Sequence, residues 1–465
     1  MLPKVASRAF GIEQRTLRAL VGWALTDRAE YDALEALCDK VGGRLAGTPA
    51  CAAGERWAVR RMREIGLRNV RAQGFRTATW QRGTCSVEIV RPGIGPIPAL
   101  AHGFAPGCAD LETPVVLAGH GLKEEIEQLG RRVRGKLALV RNGAPEGKRA
   151  PHRSEKFAWL RDAGAGGMLL LSGLAGLQPQ TGMCADAEAP IPSVGITLED
   201  GERLLRAAAK GSGLAARLSM SNTVGAGKVA NIIGEIPGRT RPEEVVVVGG
   251  HFDSWDVAQG AVDNGTGCAV VLGVARALMA LGRTPRRTVR FALWAAEEIG
   301  LVGSRHYVRR EWKRMDQHIA YLNFDMPGDP ERLLLSGRPD EAAVLDDVAS
   351  HMTGLGVVQP HSTGICLATD LKAFVFAGVP VLSVLGGLKG AGGSCYHTAS
   401  DTFDKVDLGS LQRTTACAAA LTWALADADR TPFSRQTGTQ VREALEREGQ
   451  AAALERPDCE VAEGL

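Results

Sequence analysis

Apolar positions at three- and four-residue spacing (Leu34, Leu37, Val41), then the stretch from Trp57 to Ile65, predict helix over residues 29–66. Alternating, strand-like residues follow at 86–90. Near residue 110 the pattern changes. Short β-like runs (115–118, 136–140, 168–171, 191–196), separated by Gly and Pro, interleave with helical stretches (122–129, 154–162, 198–209) up to about residue 222. From Val229 the order becomes strand, turn, helix. Four consecutive valines, 245–248, suit a strand buried on both faces. Helix is predicted over 267–281, strand over 288–294, helix around 300–312, strand over 319–324, helix over 342–351, strand over 379–384 and a closing helix over 408–428. Strands alternating with helices imply an α/β protein with a mostly parallel mixed sheet and helices on both faces. The domain expectation is a catalytic domain split into residues 1–110 and 225–430. A β-rich module occupies 111–224, and a tail over 431–465 has one amphipathic piece at 441–447.

Composition changes this picture little. The chain has 465 residues, 45% hydrophobic and 23% charged, with a net charge of +3. That balance excludes a disordered or low-complexity protein and gives no field for nucleic acid or an acidic membrane. Its ten cysteines are scattered, none in a C-x-x-C pair, which argues against a disulfide scaffold or a cysteine-based zinc module. The N-terminus lacks a signal-peptide layout, since its best apolar run (20–25) is short and flanked by Arg18 and Asp27. The apolar segment 163–177 falls below the ~18 residues of a membrane span. The expectation is a soluble, cytoplasmic protein, with secretion as the alternative.

Candidate chemistry lies at the carboxyl ends of the predicted strands, where open α/β sheets bind ligands. Strand 245–248 runs into Gly249-Gly250-His251-Phe252-Asp253, and the next turn holds Asp263-Asn264-Gly265. Strand 288–294 leads into Glu297-Glu298, strand 319–324 into Asp325, and strand 379–384 into a glycine-rich loop with Tyr396-His397. Two histidines and five carboxylates thus converge on one rim. Imidazole and carboxylate are the ligands of a divalent metal such as zinc. A metal pair ~3.5–4 Å apart needs a bridging carboxylate and two further ligands per ion. Two groups remain for a general base and a supporting partner. Glu297 and Glu298 divide naturally into one ligand and one base, and two adjacent acids repel unless a cation compensates.

The runs GGHFDSWDVAQGAVDNGTG (249–267) and PRRTVRFALWAAEEIGLVGS (285–304) resemble the co-catalytic zinc aminopeptidase family, peptidase family M28. TDLKAFVFAGVP (369–380) and HTASDTFDKVD (397–407) are similar to its carboxypeptidase Q branch, as is the stretch 41–70. RGKLALVRNG (134–143) resembles a protease-associated domain. The resemblance spans about residues 30–430 and implies a zinc exopeptidase fold with two Zn2+, other divalent metals being possible. It makes Asp263 the bridging ligand, with Glu298 and His397 on one ion and His251 and Asp325 on the other. Glu297 becomes the general base and acid, and Asp253 the group that orients His251. Asn264 departs from the branch, which tends to carry a second Asp there. The implied activity is metal-dependent hydrolysis of dipeptides or short peptides, with the peptide as partner and a homodimer left open.

Alternatives are a one-zinc glutaminyl-cyclase-like enzyme and a catalytically silent binding protein on the same scaffold. Tyr396 is a candidate oxyanion donor or an ordinary loop aromatic. Asp370 makes either a structural hydrogen bond or a substrate contact. The stretch 143–149 fails as a P-loop, having one residue too few between its glycines. No G-x-S-x-G elbow or H-E-x-x-H helix occurs.

Overall fold

The computed structural model describes residues 13–455. The leader-free reading of residues 1–12, Cys459 and the last ten residues of the tail lie outside the described residues. The predicted helix over 29–66 forms as two helices, Ala29–Lys40 and Pro49–Ile65. Gly42 and Gly47 adopt positive φ between them (70° and 86°), and Pro49 starts the second helix, where Thr48 accepts a bond from the Cys51 N–H at 3.1 Å. Strand β1 (Arg68–Gln81) then opens a first sheet. The chain leaves it to build a second sheet from β2 (Cys85–Arg91), β3 (Gly95–Ile97), β4 (Ala99–Ala101), β5 (Cys108–Leu117), β6 (Leu137–Val140), β7 (Gly167–Leu171), β8 (Ser193–Ile196) and β9 (Ala215–Met220). Three of these strands precede residue 111. The order of the second sheet is β3-β2-β9-β5-β6-β7-β8-β4.

The chain returns through β10 (Thr223–Ile236), which pairs antiparallel with β1 along almost its whole length. The rest of the first sheet is β11 (Arg241–His251), β12 (Arg287–Trp294), β13 (His318–Asn323), β14 (Asp329–Leu335) and β15 (Val381–Gly387). Its order is β1-β10-β12-β11-β13-β15-β14, with β12, β11, β13 and β15 parallel at the centre. Alternate valines of β11 face opposite layers. Val246 and Val248 share a core with helices Thr266–Ala280 and Leu408–Asp427. Val245 and Val247 pack with residues of helices Val302–Glu311, Leu371–Phe376 and Gly438–Arg447. The helix predicted over 342–351 is a 3-10 turn, Pro339–Leu345, followed by a single α turn, Asp346–Ala349. Among the described residues no helix is long and apolar enough to cross a membrane.

Candidate metal centre

The parallel order places the carboxyl ends of β11, β12 and β13 side by side. β11 ends on His251, and Gly250 permits it to pass Phe324, since a Cβ at 250 would fall 2.4 Å from that carbonyl oxygen. Asp263 lies in an irregular turn just before helix Thr266–Ala280. Glu297 and Glu298 occupy a turn after β12 in which Ala296 has φ 60°. Asp325 follows β13, and His397, with φ 57°, ends the loop after β15. Left-handed backbone beside two of these groups is a strain typical of functional sites.

Six side chains meet here. His251 Nε2 is 3.3 Å from Asp263 Oδ1, 3.4 Å from Asp325 Oδ1 and 3.9 Å from Glu297 Oε2. His397 Nε2 is 3.2 Å from both Asp263 Oδ2 and Glu298 Oε2. Asp263 therefore directs one oxygen to each imidazole. Donors around one tetrahedral ion with bonds of about 2.0–2.1 Å stand about 3.3 Å apart. Among the described residues the buried Glu298 Oε1 has no hydrogen-bond partner, which suits an oxygen that faces a cation. Donor type, spacing and this orphan oxygen all fit divalent metal. Glu297 also lies within 4.8 Å of the donors of His251 and Asp325, so distance alone does not separate it from the ligands.

The charges make the same point. Burial pushes the carboxyls of Glu297 and Glu298 well above the usual range. Burial would lower His251, but the charges of Glu297 and Asp325 and bonds to Asp263 and Asp325 hold it well above its ordinary value. Asp263 is held low despite burial by its bonds to the two histidines. Four carboxylates crowd two imidazoles, an excess of negative charge that bound cations relieve.

Supporting contacts differ from expectation in one place. His251 Nδ1 bonds the Asp253 carbonyl at 3.0 Å, while the Asp253 carboxylate oxygen stands 3.8 Å away. That carboxylate accepts from the N–H groups of Glu297 (3.1 Å) and Glu298 (3.3 Å) and fixes the acidic turn instead. Asn264 clamps both sides of Asp325, donating to the Phe324 carbonyl at 2.9 Å and accepting from the Met326 N–H at 3.0 Å. A carboxylate could not donate the first bond, which accounts for the amide at this position. Asp370 is buried with Oδ1 unpartnered. Burial, opposed by His251 and a bond from Ser304 and reinforced by Asp325, pushes it up to about 7.

Three supporting residues were not singled out in the sequence. Asp401 accepts from the N–H groups of Val262 (2.7 Å) and Asp263 (3.1 Å) and so aims the central carboxylate. Its place in the HTASD run was the only signal. Arg44 reaches across from the first helical region to the loop before Asp263. Arg153, from the second sheet's module, places Nη2 3.3 Å from His397 Nδ1.

With this geometry in view, residues 231–422 match peptidase family M28 and residues 104–204 match the PA domain. Carboxypeptidase Q of Mus musculus is 29% identical over 448 residues, covering 90% of this chain and 94% of that protein. This chain is a metallo-exopeptidase of the M28 type. A peptidase M28 precursor from Shewanella amazonensis shares the fold with a TM-score of 0.81 at 23% identity, over 92% of this chain and 99% of that one. BSAP, a zinc aminopeptidase from Bacillus subtilis, aligns with a TM-score of 0.65 at 24% identity, over 87% and 98%. The M28 match contains all five candidate ligands and Glu297, and the PA match contains Arg153.

Proposed function

We propose that this M28 exopeptidase hydrolyses dipeptides and short peptides with two zinc ions, held by His251, Asp263, Glu298, Asp325 and His397. The observation that carries the reading is Asp263, whose two oxygens lie 3.3 and 3.2 Å from imidazoles on opposite sides. BSAP is described as a zinc enzyme, which supports zinc here. Relatives named carboxypeptidase Q and aminopeptidase support an exopeptidase.

When bound, such a pair polarises a scissile carbonyl and lowers the pKa of a water. Glu297 accepts the water's proton on its carboxylate and returns it to the departing amine. Its high proton affinity in this buried site suits that return. Asp253 holds the Glu297 backbone, and Asp401 holds that of Asp263, so neither carboxylate reorganises during the reaction. Tyr396 stacks on His397 at 3.7 Å and so flanks this ligand.

Bound metal measured after dialysis should be two ions per chain, and chelation should abolish dipeptide hydrolysis. Glu297→Gln should lower kcat by about 10²–10⁴ with metal content unchanged. Loss of metal in that variant would reverse the roles of Glu297 and Glu298. One ion per chain with turnover of N-terminal glutamine peptides would favour the cyclase reading.

A further inference from the structure

Strand β12 gives way after Trp294 to the segment 295–303, which carries Glu297 and Glu298 and enters helix Val302–Glu311. The segment passes twice through left-handed backbone at residues that bear a Cβ, Ala296 (φ 60°) and Leu301 (φ 57°). Such residues are strained and persist only where their surroundings hold them. Asp253 holds the tip, through the N–H groups of Glu297 and Glu298. The neck is held from a different strand.

Asn231 lies in β10, fully buried and in register with Gln73 of β1. β10 runs antiparallel to β12, and their pairing ends at Ile232 and Leu293. Asn231 therefore stands where β12 peels away. Its side-chain oxygen accepts from the Ala295 N–H at 3.1 Å, and its Nδ2 donates to the Gly303 carbonyl at 2.9 Å. One amide thus closes the acidic segment at both ends. The closure needs an acceptor and a donor on one short planar group. Asparagine supplies both, an ionised aspartate only the acceptor, and leucine neither. Residue 303 is matched to it, because a Cβ there would collide with the Ala295 carbonyl oxygen and the Asn231 amide oxygen.

We propose that Asn231 is the positioning residue of the acidic turn, fixing through its neck the direction in which Glu297 and Glu298 point. This rests on the roles proposed above for the two glutamates. Its reach is local. His251 ends β11 and Asp325 follows β13, so neither is carried by the segment that Asn231 closes. The ion assigned to Glu298 and His397 therefore depends on Asn231, and the ion assigned to His251 and Asp325 does not.

Asn231→Asp separates positioning from bulk. Ionised, the new carboxyl turns a second acceptor toward the Gly303 carbonyl; protonated, it donates as the amide did. Burial raises the pKa of such a carboxyl. The ratio of variant to native kcat on the dipeptide Leu-Leu should stay near one at about pH 5.5 and fall about 10–100-fold by about pH 9, with KM little changed. Co2+ titration by calorimetry reads the two ions apart. In Asp325→Asn protein, which keeps the Glu298–His397 set, adding Asn231→Leu should weaken Co2+ about 10–100-fold. In Glu298→Gln protein, which keeps the His251–Asp325 set, the same change should leave Co2+ affinity unaltered. Asn231→Asp at about pH 8 gives the same comparison where the leucine variant does not fold. A kcat ratio independent of pH, or equal weakening of Co2+ in both backgrounds, would make Asn231 a general support of the sheet and overturn the proposal. Native protein that binds no Co2+ and hydrolyses nothing defeats the proposed function instead. Amide exchange then decides the role of Asn231. Its replacement should speed exchange across 295–303 while β12 keeps the native rate, and unaltered exchange there would overturn the proposal.

Discussion

Buried histidines in this chain divide by what faces their nitrogens. His251 and His397 face carboxylates and belong to the metal centre. His318 faces neutral groups, with Nε2 2.8 Å from the Tyr307 hydroxyl and Nδ1 2.9 Å from the Arg314 carbonyl. Arg290 donates to that hydroxyl at 2.7 Å, so the hydroxyl proton points to Nε2 and the neutral ring fits without loss. Burial, opposed by the bond to the Arg314 carbonyl and assisted by the charge of Arg290, pushes His318 down to about 4. A folded value below the unfolded 6.5 means the unfolded chain binds more protons between about pH 4 and 6.5. The neutral ring therefore contributes about 3 kcal/mol, present above about pH 6.5 and lost as pH falls toward 4. His318→Gln should be clearly less stable than the native protein at pH 7, and the gap in Tm should close toward pH 4. Parallel Tm profiles for the two proteins would contradict this.

Strands were legible where burial is continuous. The valines of β11 and the apolar run that ends β12 mark the centre of the first sheet because both faces are buried there. β1 and the first half of β10 mix exposed, half-buried and buried positions, and their Gly, Arg and Thr residues carry no clear period. They exist through pairing with each other, which no single segment announces. Ligand residues were visible as types at strand ends, whereas the groups that aim them act through backbone bonds and leave no spacing. Arg44 is the strongest instance. Fully buried, it donates to the Phe252 carbonyl, to Gln259 O at 2.7 Å and to Gly260 O at 2.9 Å, more than two hundred residues along the chain. These bonds shape the irregular segment between β11 and helix Thr266–Ala280, which carries Asp253 and Asp263. Arg44→Met leaves three carbonyls without their charged donor and should cost about 3–5 kcal/mol. Metal affinity should fall about 10–100-fold, as for loss of a ligand's support. An unchanged denaturation midpoint and an unchanged metal titration would refute the role.

At the scale of the whole molecule, the interruption of the strand–helix order did mark an inserted module. Of its early strands, β2 was legible as the alternating residues 86–90, whereas β3 and β4 were not, being only three residues long each. What no pattern along the chain indicated is how firmly the module is tied to the metal loop. Arg82 sits at the crossing, one residue after β1 and three before β2. Its Nε lies 3.0 Å from both Asp256 oxygens, and its Nη2 is 2.9 Å from Asp256 Oδ1 and 3.0 Å from Thr181 Oγ1. The guanidinium also stacks over Trp80, 4.8 Å from the ring centroid. One side chain therefore joins the linker, the module segment that holds Thr181 and the loop leading to Asp263. The pair is only partly exposed, 12% and 25% for the two side chains, and its geometry is bidentate. Its coupling energy should accordingly exceed the surface median and reach about 1–2 kcal/mol in a cycle of Arg82→Met and Asp256→Asn. Arg82→Met should also separate thermal unfolding into two steps and speed proteolysis near residues 82–84 and 221–222, where the chain crosses between the sheets. Because the metal ligands keep their own supports, bound metal should stay at the native level while dipeptide kcat/KM falls. A single transition at the native Tm, with native proteolysis, would show that the sheets hold together without this residue.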